Sequence, residues 1–261
     1  MICGDFHTHT TFCDGKNTPR EMIEEAISRG MTHIGFSGHS PAPYKADFTM
    51  TDVDGYYNEI RALQEEYRGR IRVLCGIEAD LYTPLDTTRF DYRIGSVHDV
   101  KCGEEYLTVD DTEAILTEGV NRLFGGDWYA FAEAYFGEVA KLACVSPNII
   151  GHIDLLTKYN EDGHLFDDTH PRYVAAAKAA IDALLPLGVP FEINSGAISR
   201  GYRTTPYPAP HLLSYIGERG GTVILSGDAH STDGIGLQFE ENRALAEKHG
   251  CRVVELPHGI E

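Results

Sequence analysis

The sequence predicts a single α/β domain over residues 1–261, with parallel strands curled into a closed or distorted barrel of seven or eight strand–helix units. Three observations predict it. Short apolar, β-prone runs alternate with longer helical patterns along the whole chain, which is the signature of a parallel sheet with helices packed outside it. A chain of 261 residues, 42% of them hydrophobic, can bury a large core as one unit. The residues that follow the strands are histidines and carboxylates, the kind that barrel enzymes collect at the C-terminal face of their sheet.

The strand candidates lie near 2–7, 32–37, 71–77, 93–97, 148–153, 189–194, 222–227 and 252–256. Helical patterns lie near 19–29, 52–68, 111–118, 128–144, 171–186, 208–219 and 236–249. The first helix has a start signal: Thr18, then Pro19 at the first helical position and Glu21 three residues after Thr18, a capping-box spacing. Gly30 supplies its stop. Thr51 or Asp52 opens the second helix and Gly69 closes it. Trp128, Tyr129, Phe131, Tyr135 and Phe136 recur at helical spacing, which marks a core-facing stripe.

Composition narrows the function. The 22 basic and 40 acidic residues give a formal charge of −18, so attraction to nucleic-acid backbones or anionic lipid by general electrostatics is not expected. No apolar run approaches the roughly 20 residues that span a bilayer, and the start Met1-Ile2-Cys3-Gly4-Asp5 has no leader-like pattern, so a cytoplasmic location is expected. The six cysteines, at 3, 13, 75, 102, 144 and 251, contain no C-x-x-C pair. This argues against a zinc ribbon and against a disulfide framework.

The chemistry is written at the strand ends. The first strand runs into His7-Thr8-His9 and then Asp14; the second ends at His39, the third at Glu78, the next at His98, the fifth at His152, and a late one at Asp228-Ala229-His230. Alternate residues of a strand project to the same side, so His7 and His9 can share one ion. One such residue alone reads as an ordinary turn polar group. Six strand ends in series do not, because burying so many imidazoles and carboxylates without a cation is costly. These nine candidates are too many for one ion, and imidazole with carboxylate suits zinc, iron or manganese better than magnesium or calcium.

In order and spacing, these motifs resemble those of the polymerase and histidinol phosphatase (PHP) superfamily over essentially the whole chain. Gly151-His152-Ile153-Asp154-Leu155 and Glu192-Ile193-Asn194-Ser195-Gly196 are similar to its histidinol-phosphatase branch. The resemblance implies a distorted, TIM-like (β/α)7 barrel with three divalent metal ions. His7, His9, Glu78 and Asp228 would hold the first; Glu78 would bridge to the second, shared with His98 and His152; Asp14, His39 and His230 would hold the third. Glu78, Asp228 and His230 are then the residues expected to carry catalysis. The implied reaction is hydrolysis of a small phosphorylated substrate, L-histidinol phosphate, by a hydroxide activated between metals. Gly38 stands where an acidic residue is common in that family.

A phosphate clamp needs cationic side chains as well. Arg200 and Arg203, in a Gly/Thr/Pro-rich loop after the strand ending at Asn194, and Lys158, after the His152 strand, are the candidates. The alternatives are a related phosphoesterase acting on another small ester or nucleotide, and a metal-dependent amidohydrolase. The latter class favours a carboxylated lysine between its metals, where this chain offers Glu78.

Overall fold

The computed structural model describes residues 3–42, 44 and 48–261; residue 2 of the first strand candidate lies outside the described residues. The chain runs β1 (Gly4–Asp5), α1 (Pro19–Ser28), β2 (His33–Phe36), α2 (Val53–Glu66), β3 (Arg72–Cys75), β4 (Ile77–Asp80) and β5 (Arg93–Ser96). It continues through β6 (Asp99–Cys102), β7 (Glu105–Thr108), α3 (Glu113–Phe124), α4 (Trp128–Val139), β8 (Ile149–Ile150) and α5 (Pro171–Leu184). The last third holds β9 (Phe191–Asn194), α6 (Gly196–Ser199), α7 (Pro210–Glu218), β10 (Thr222–Ser226), α8 (Phe239–Lys248) and β11 (Arg252–Val253).

Strands β1, β2 and β3 form one parallel sheet; β4, β5, β8, β9, β10 and β11 form a second. β3 and β4 are one run of chain bent at Gly76, whose first half pairs with β2 and whose second half pairs with β5. Single parallel bridges join the two sheets at both seams, His39 to Glu78 and Thr8 to Ala229. With the bent run taken once and β11 left as an edge strand beside β10, seven strands stand in a ring, a distorted (β/α)7 barrel that no continuous ladder closes among the described residues. The bend has a physical cause. The buried ring of Tyr92 fills the seam, and a Cβ at Gly76 would lie 2.3 Å from that ring. Its hydroxyl donates to the carbonyl oxygens of Phe6 (2.6 Å) and Phe36 (3.1 Å), tying the sheets together.

Phe6, Leu74, Tyr92, Ile94, Ile149 and Ile224, from successive strands, pack as one buried cluster with Val254, Leu256 and Ile260 of the C-terminal segment against it. Two further clusters lie between strands and helices. The aromatic stripe of α4 is in the larger one, with Phe131, Tyr135 and Phe136 fully buried. The start signals act as the sequence predicts: Thr18 and Glu21 form a reciprocal capping box on α1, and the Asp52 side chain accepts from the Gly55 amide at the start of α2. Gly30 and Gly69 have φ of +74° and +84°.

Three features differ from the sequence reading. β6 and β7 form an antiparallel hairpin that sequence periodicity did not resolve. α3 runs on to Phe124, through Gly119, which packs against Leu107, and ends at Gly125 with φ +61°. α4 ends at Val139, and a separate 3₁₀ turn covers Leu142–Val145. No helix among the described residues is long and apolar enough to cross a membrane.

Candidate metal centre

All nine ligand candidates converge at the C-terminal ends of the strands. Glu78, on β4, is their hub. Its Oε2 lies 2.7 Å from His39 Nδ1, 3.5 Å from His7 Nε2 and 3.7 Å from His9 Nε2. Its Oε1 lies 3.2 Å from His152 Nε2 and 3.3 Å from His98 Nε2. Asp228 Oδ1 faces His9 Nε2 at 3.4 Å and His7 Nε2 at 3.8 Å. Asp14 turns back from the loop after β1 to meet His230 Nε2 at 3.1 Å, with His9 Nδ1 at 3.6 Å and His39 Nε2 at 3.7 Å.

The residues fit divalent cations on two observations. Four groups have donor atoms close enough to hold one ion: His9/Asp14/His39/His230, His7/His9/Glu78, His7/His152/Asp228 and His39/Glu78/His98. In addition, His7 Nε2, His9 Nε2, Asp14 Oδ1 and both Glu78 oxygens are buried, and none makes a hydrogen bond of good geometry. Orphaned buried polar atoms are rare and costly in a folded protein, and here they are the donor atoms themselves. Burial, reinforced by neighbouring His230 and His39, pushes the His9 imidazole down to about 3, leaving its lone pair available. Burial opposes charge on His98 too, but Glu78 and Asp80 outweigh it and hold that ring up at about 10. Such proton-sharing between carboxylate and imidazole is what a bound cation would displace.

The backbone is arranged for this face. Asp228 adopts φ +46°, uncommon for a residue with a side chain. It is held there by bonds on either side: the Ala229 amide donates to the His7 carbonyl (3.0 Å) and the Gly227 amide to Asp5 Oδ1 (3.1 Å). Asp5, fully buried, also accepts from the amides of His7 and Gly236. Burial raises its carboxyl to about 6 against the pull of those three amides.

Beside the cluster opens a cavity of about 190 Å³ whose wall includes Asp14, His39, His98, His152, Asp228 and His230. Lys158 and Arg200 line it as well. Arg200 Nη2 donates to Asp228 Oδ2 (3.1 Å), and Nη1 lies 2.7 Å from His230 Nδ1. Lys158 Nζ reaches the Asp110 carbonyl at 2.6 Å. Arg203 is not part of this wall. Its guanidinium donates to Thr157 O and Oγ1 (2.7 and 2.8 Å) and to Thr205, so its donors clamp two loops together instead of facing the cavity. The same cavity is also lined by Asp80, Asp99, Asp110 and Asp111 with Tyr44, Phe48 and Tyr202.

Sequence reasoning did not single out Asp5, Glu192 or Asn194. Glu192 Oε1 lies 2.6 Å from His7 Nδ1, while Oε2 accepts from the His152 amide and from Asn194 Nδ2, both at 3.0 Å. Asn194 Nδ2 is also 3.4 Å from Asp228 Oδ2. The signal available was an acid two residues before a polar residue in an otherwise apolar strand, where alternation puts both on one face.

Comparison with known proteins agrees with this geometry. The PHP domain family model matches residues 5–196. A "probable histidinol-phosphatase" of Deinococcus radiodurans is 32% identical, covering 97% of this chain and 96% of its own. The histidinol-phosphatase of Bacillus subtilis is 26% identical, covering 90% of this chain and 96% of its own. Among solved structures, the histidinol phosphate phosphatase of Lactococcus lactis, complexed with zinc, L-histidinol and phosphate, shares the fold at a TM-score of 0.70. It is 21% identical and covers 97% of this chain and 96% of its own.

Proposed function

Because the chain belongs to the PHP domain family, in its histidinol-phosphatase branch, we propose that it is a metal-dependent phosphomonoesterase hydrolysing L-histidinol phosphate to L-histidinol and phosphate. The observation that carries the reading is the set of orphaned buried donor atoms around Glu78, opening on a cavity that also presents Arg200. In this reading three divalent ions (zinc, manganese or iron) are held by His7, His9, Glu78 and Asp228; by Glu78, His98 and His152; and by Asp14, His39 and His230. Bound there, the ions would supply charge neutralisation for phosphoryl oxygens and an acidified water near neutral pH.

The chain's own residues do the rest. Glu78 and Asp228 fix where positive charge is concentrated. His230 stands at the cavity wall between Asp14 and Arg200, and as a ligand it would hold the third ion on the side that meets the ester. Arg200 presents its guanidinium to the cavity, and Lys158 extends the cationic side. The carboxylates and aromatic rings that also line the cavity suit an alcohol that carries a protonated amine and an imidazole ring, and oppose one that is itself anionic.

The test is phosphate release from L-histidinol phosphate, mononucleotides, sugar phosphates and p-nitrophenyl phosphate, with protein of measured metal content. Selective turnover of L-histidinol phosphate, lost with chelator, is the expected result. Faster turnover of another ester would replace the substrate, and no turnover at full metal occupancy would overturn the phosphatase reading.

A further inference from the structure

Glu192 carries chemistry that the metal centre uses without touching the metal. We propose that Glu192 is a positioning residue which, from β9, fixes the His7 ring with Nδ1 protonated and Nε2 turned to the cation, and anchors the segment that carries His152. The proposal rests on the metal-binding reading of the site.

Three donors converge on this one carboxylate: the His7 ring nitrogen Nδ1, the backbone amide of His152 and the side-chain amide of Asn194. A backbone N–H can only donate, so Oε2 is committed as an acceptor. On the other oxygen, the two-nitrogen ring of His7 has a choice, and its surroundings decide it. His7 Nε2 is buried and has no hydrogen-bond partner, with Glu78 Oε2 at 3.5 Å and Asp228 Oδ1 at 3.8 Å. A proton placed there would be wasted, whereas a proton on Nδ1 is met by Glu192 Oε1 at 2.6 Å. A carboxylate behind a ligating histidine sets its tautomer and raises its basicity.

Glu192 does not compete for the ion, since it belongs to none of the four groups that could hold one. Nor does it meet substrate, because it is 2% exposed and is not part of the cavity wall. Its reach is wide all the same. His7 follows β1 and His152 follows β8, while Asn194, two residues on in β9, contacts Asp228 after β10. One buried acid thereby sets the relative placement of ligands from three other strands.

The experiment titrates zinc into metal-free protein against a chromogenic chelator, for wild type, Glu192→Gln, His7→Ala and the double variant. Glutamine offers one acceptor where three donors converge. Glu192→Gln is therefore expected to weaken the tightest zinc site about 10- to 100-fold. It should lower kcat more than it changes KM, and it should add little to the loss already caused by His7→Ala. Zinc affinity of Glu192→Gln within about threefold of wild type, or full additivity with His7→Ala, would overturn the proposal. Should Glu192→Gln fail to fold, ¹⁵N ring shifts of His7 in the zinc-loaded wild type decide the matter. Nδ1 protonated with zinc on Nε2 supports the proposal, and zinc on Nδ1 sinks it. Wild type that takes up no zinc would refute the metal centre itself, a failure distinct from that of Glu192.

Discussion

Gly196 is the position where a single methyl group should act on chemistry without altering a ligand. It begins α6, directly after Asn194 and Ser195, and a Cβ built on it would stand 2.3 Å from Asp228 Oδ2, 2.6 Å from Cγ and 2.7 Å from Cβ. Ordinary contact begins at 3.4 Å, so Asp228 has to retreat by about 1 Å, and the contact on its Cβ carries the backbone with it. It cannot do so freely. Asp228 Oδ2 is paired with Arg200, and its backbone is already held at φ +46°. The helix itself has no objection to alanine, which is favoured over glycine in helices by up to about 1 kcal/mol.

Gly196→Ala should therefore leave the protein folded, with a Tm lowered by less than about 10 °C, and carry a displaced Asp228. A misplacement of about 1 Å costs on the order of 100-fold in rate, or about 2.7 kcal/mol of transition-state stabilisation. The assay is kcat/KM for L-histidinol phosphate at saturating zinc or manganese, with metal content and Tm measured on the same preparations. Activity within about threefold of wild type would refute the placement of Asp228 among the groups that set the reaction. A collapse of Tm by more than about 10 °C would show that the clash unfolds this end of the barrel and does not merely shift Asp228.

The remaining predictions use the cationic loop, the metal and pH. Arg200→Ala should lower kcat/KM about 10- to 100-fold, the cost of a lost charged hydrogen bond, whereas Arg203→Ala should lower Tm and leave KM within about twofold, because its donors serve Thr157 and Thr205; equal kinetic effects would contradict the placement. Chelation should abolish turnover and lower Tm, since an ion bound only by the folded state stabilises it, and an unchanged Tm on metal removal would count against a buried centre. Glu161 accepts from the amides and hydroxyls of Thr204 and Thr205; burial works against its charge, but these bonds prevail and hold its carboxyl below the ordinary 4.5. Its contribution is thus present above about pH 4.5 and lost as the pH falls through the lower folded value. The stability deficit of Glu161→Gln, under about 1 kcal/mol for so exposed a group, should shrink between pH 7 and pH 3.5.

The ligand candidates were legible in the sequence because they break the pattern around them. A histidine or acid directly after an apolar run has no packing reason to be there, and its position on the barrel rim follows from strand direction alone. The hairpin of β6 and β7 left a local trace too: Gly103, with φ +66°, precedes Glu104 in a two-residue turn between paired Cys102 and Glu105, a position that favours glycine. Its strands are four residues long and half exposed, so their alternation is weak beside that of the barrel strands. The extent of α3 was hidden for another reason. Gly119 is a poor helix former, and only the tertiary approach of Leu107, 2.1 Å from where a Cβ would be, accounts for it.

Glu192 and Arg203 mark the limit of reading from sequence. Both are charged residues near a functional segment, and by type and neighbourhood Arg203 is the better candidate for contact with an anionic substrate. The structure separates them by partners distant in the chain: Thr157 for Arg203, and His7, 185 residues away, for Glu192. Residue type shows which groups can hold a metal or a phosphate. Which of them face the cavity, and which are spent holding others in place, is settled by the closure of the ring. The bridge from Thr8 to Ala229 brings the end of β1 against the end of β10, and with it His7 and His9 against Asp228. A loosened seam should therefore disturb the metal centre before the outer helices, which pack against strands all round the ring.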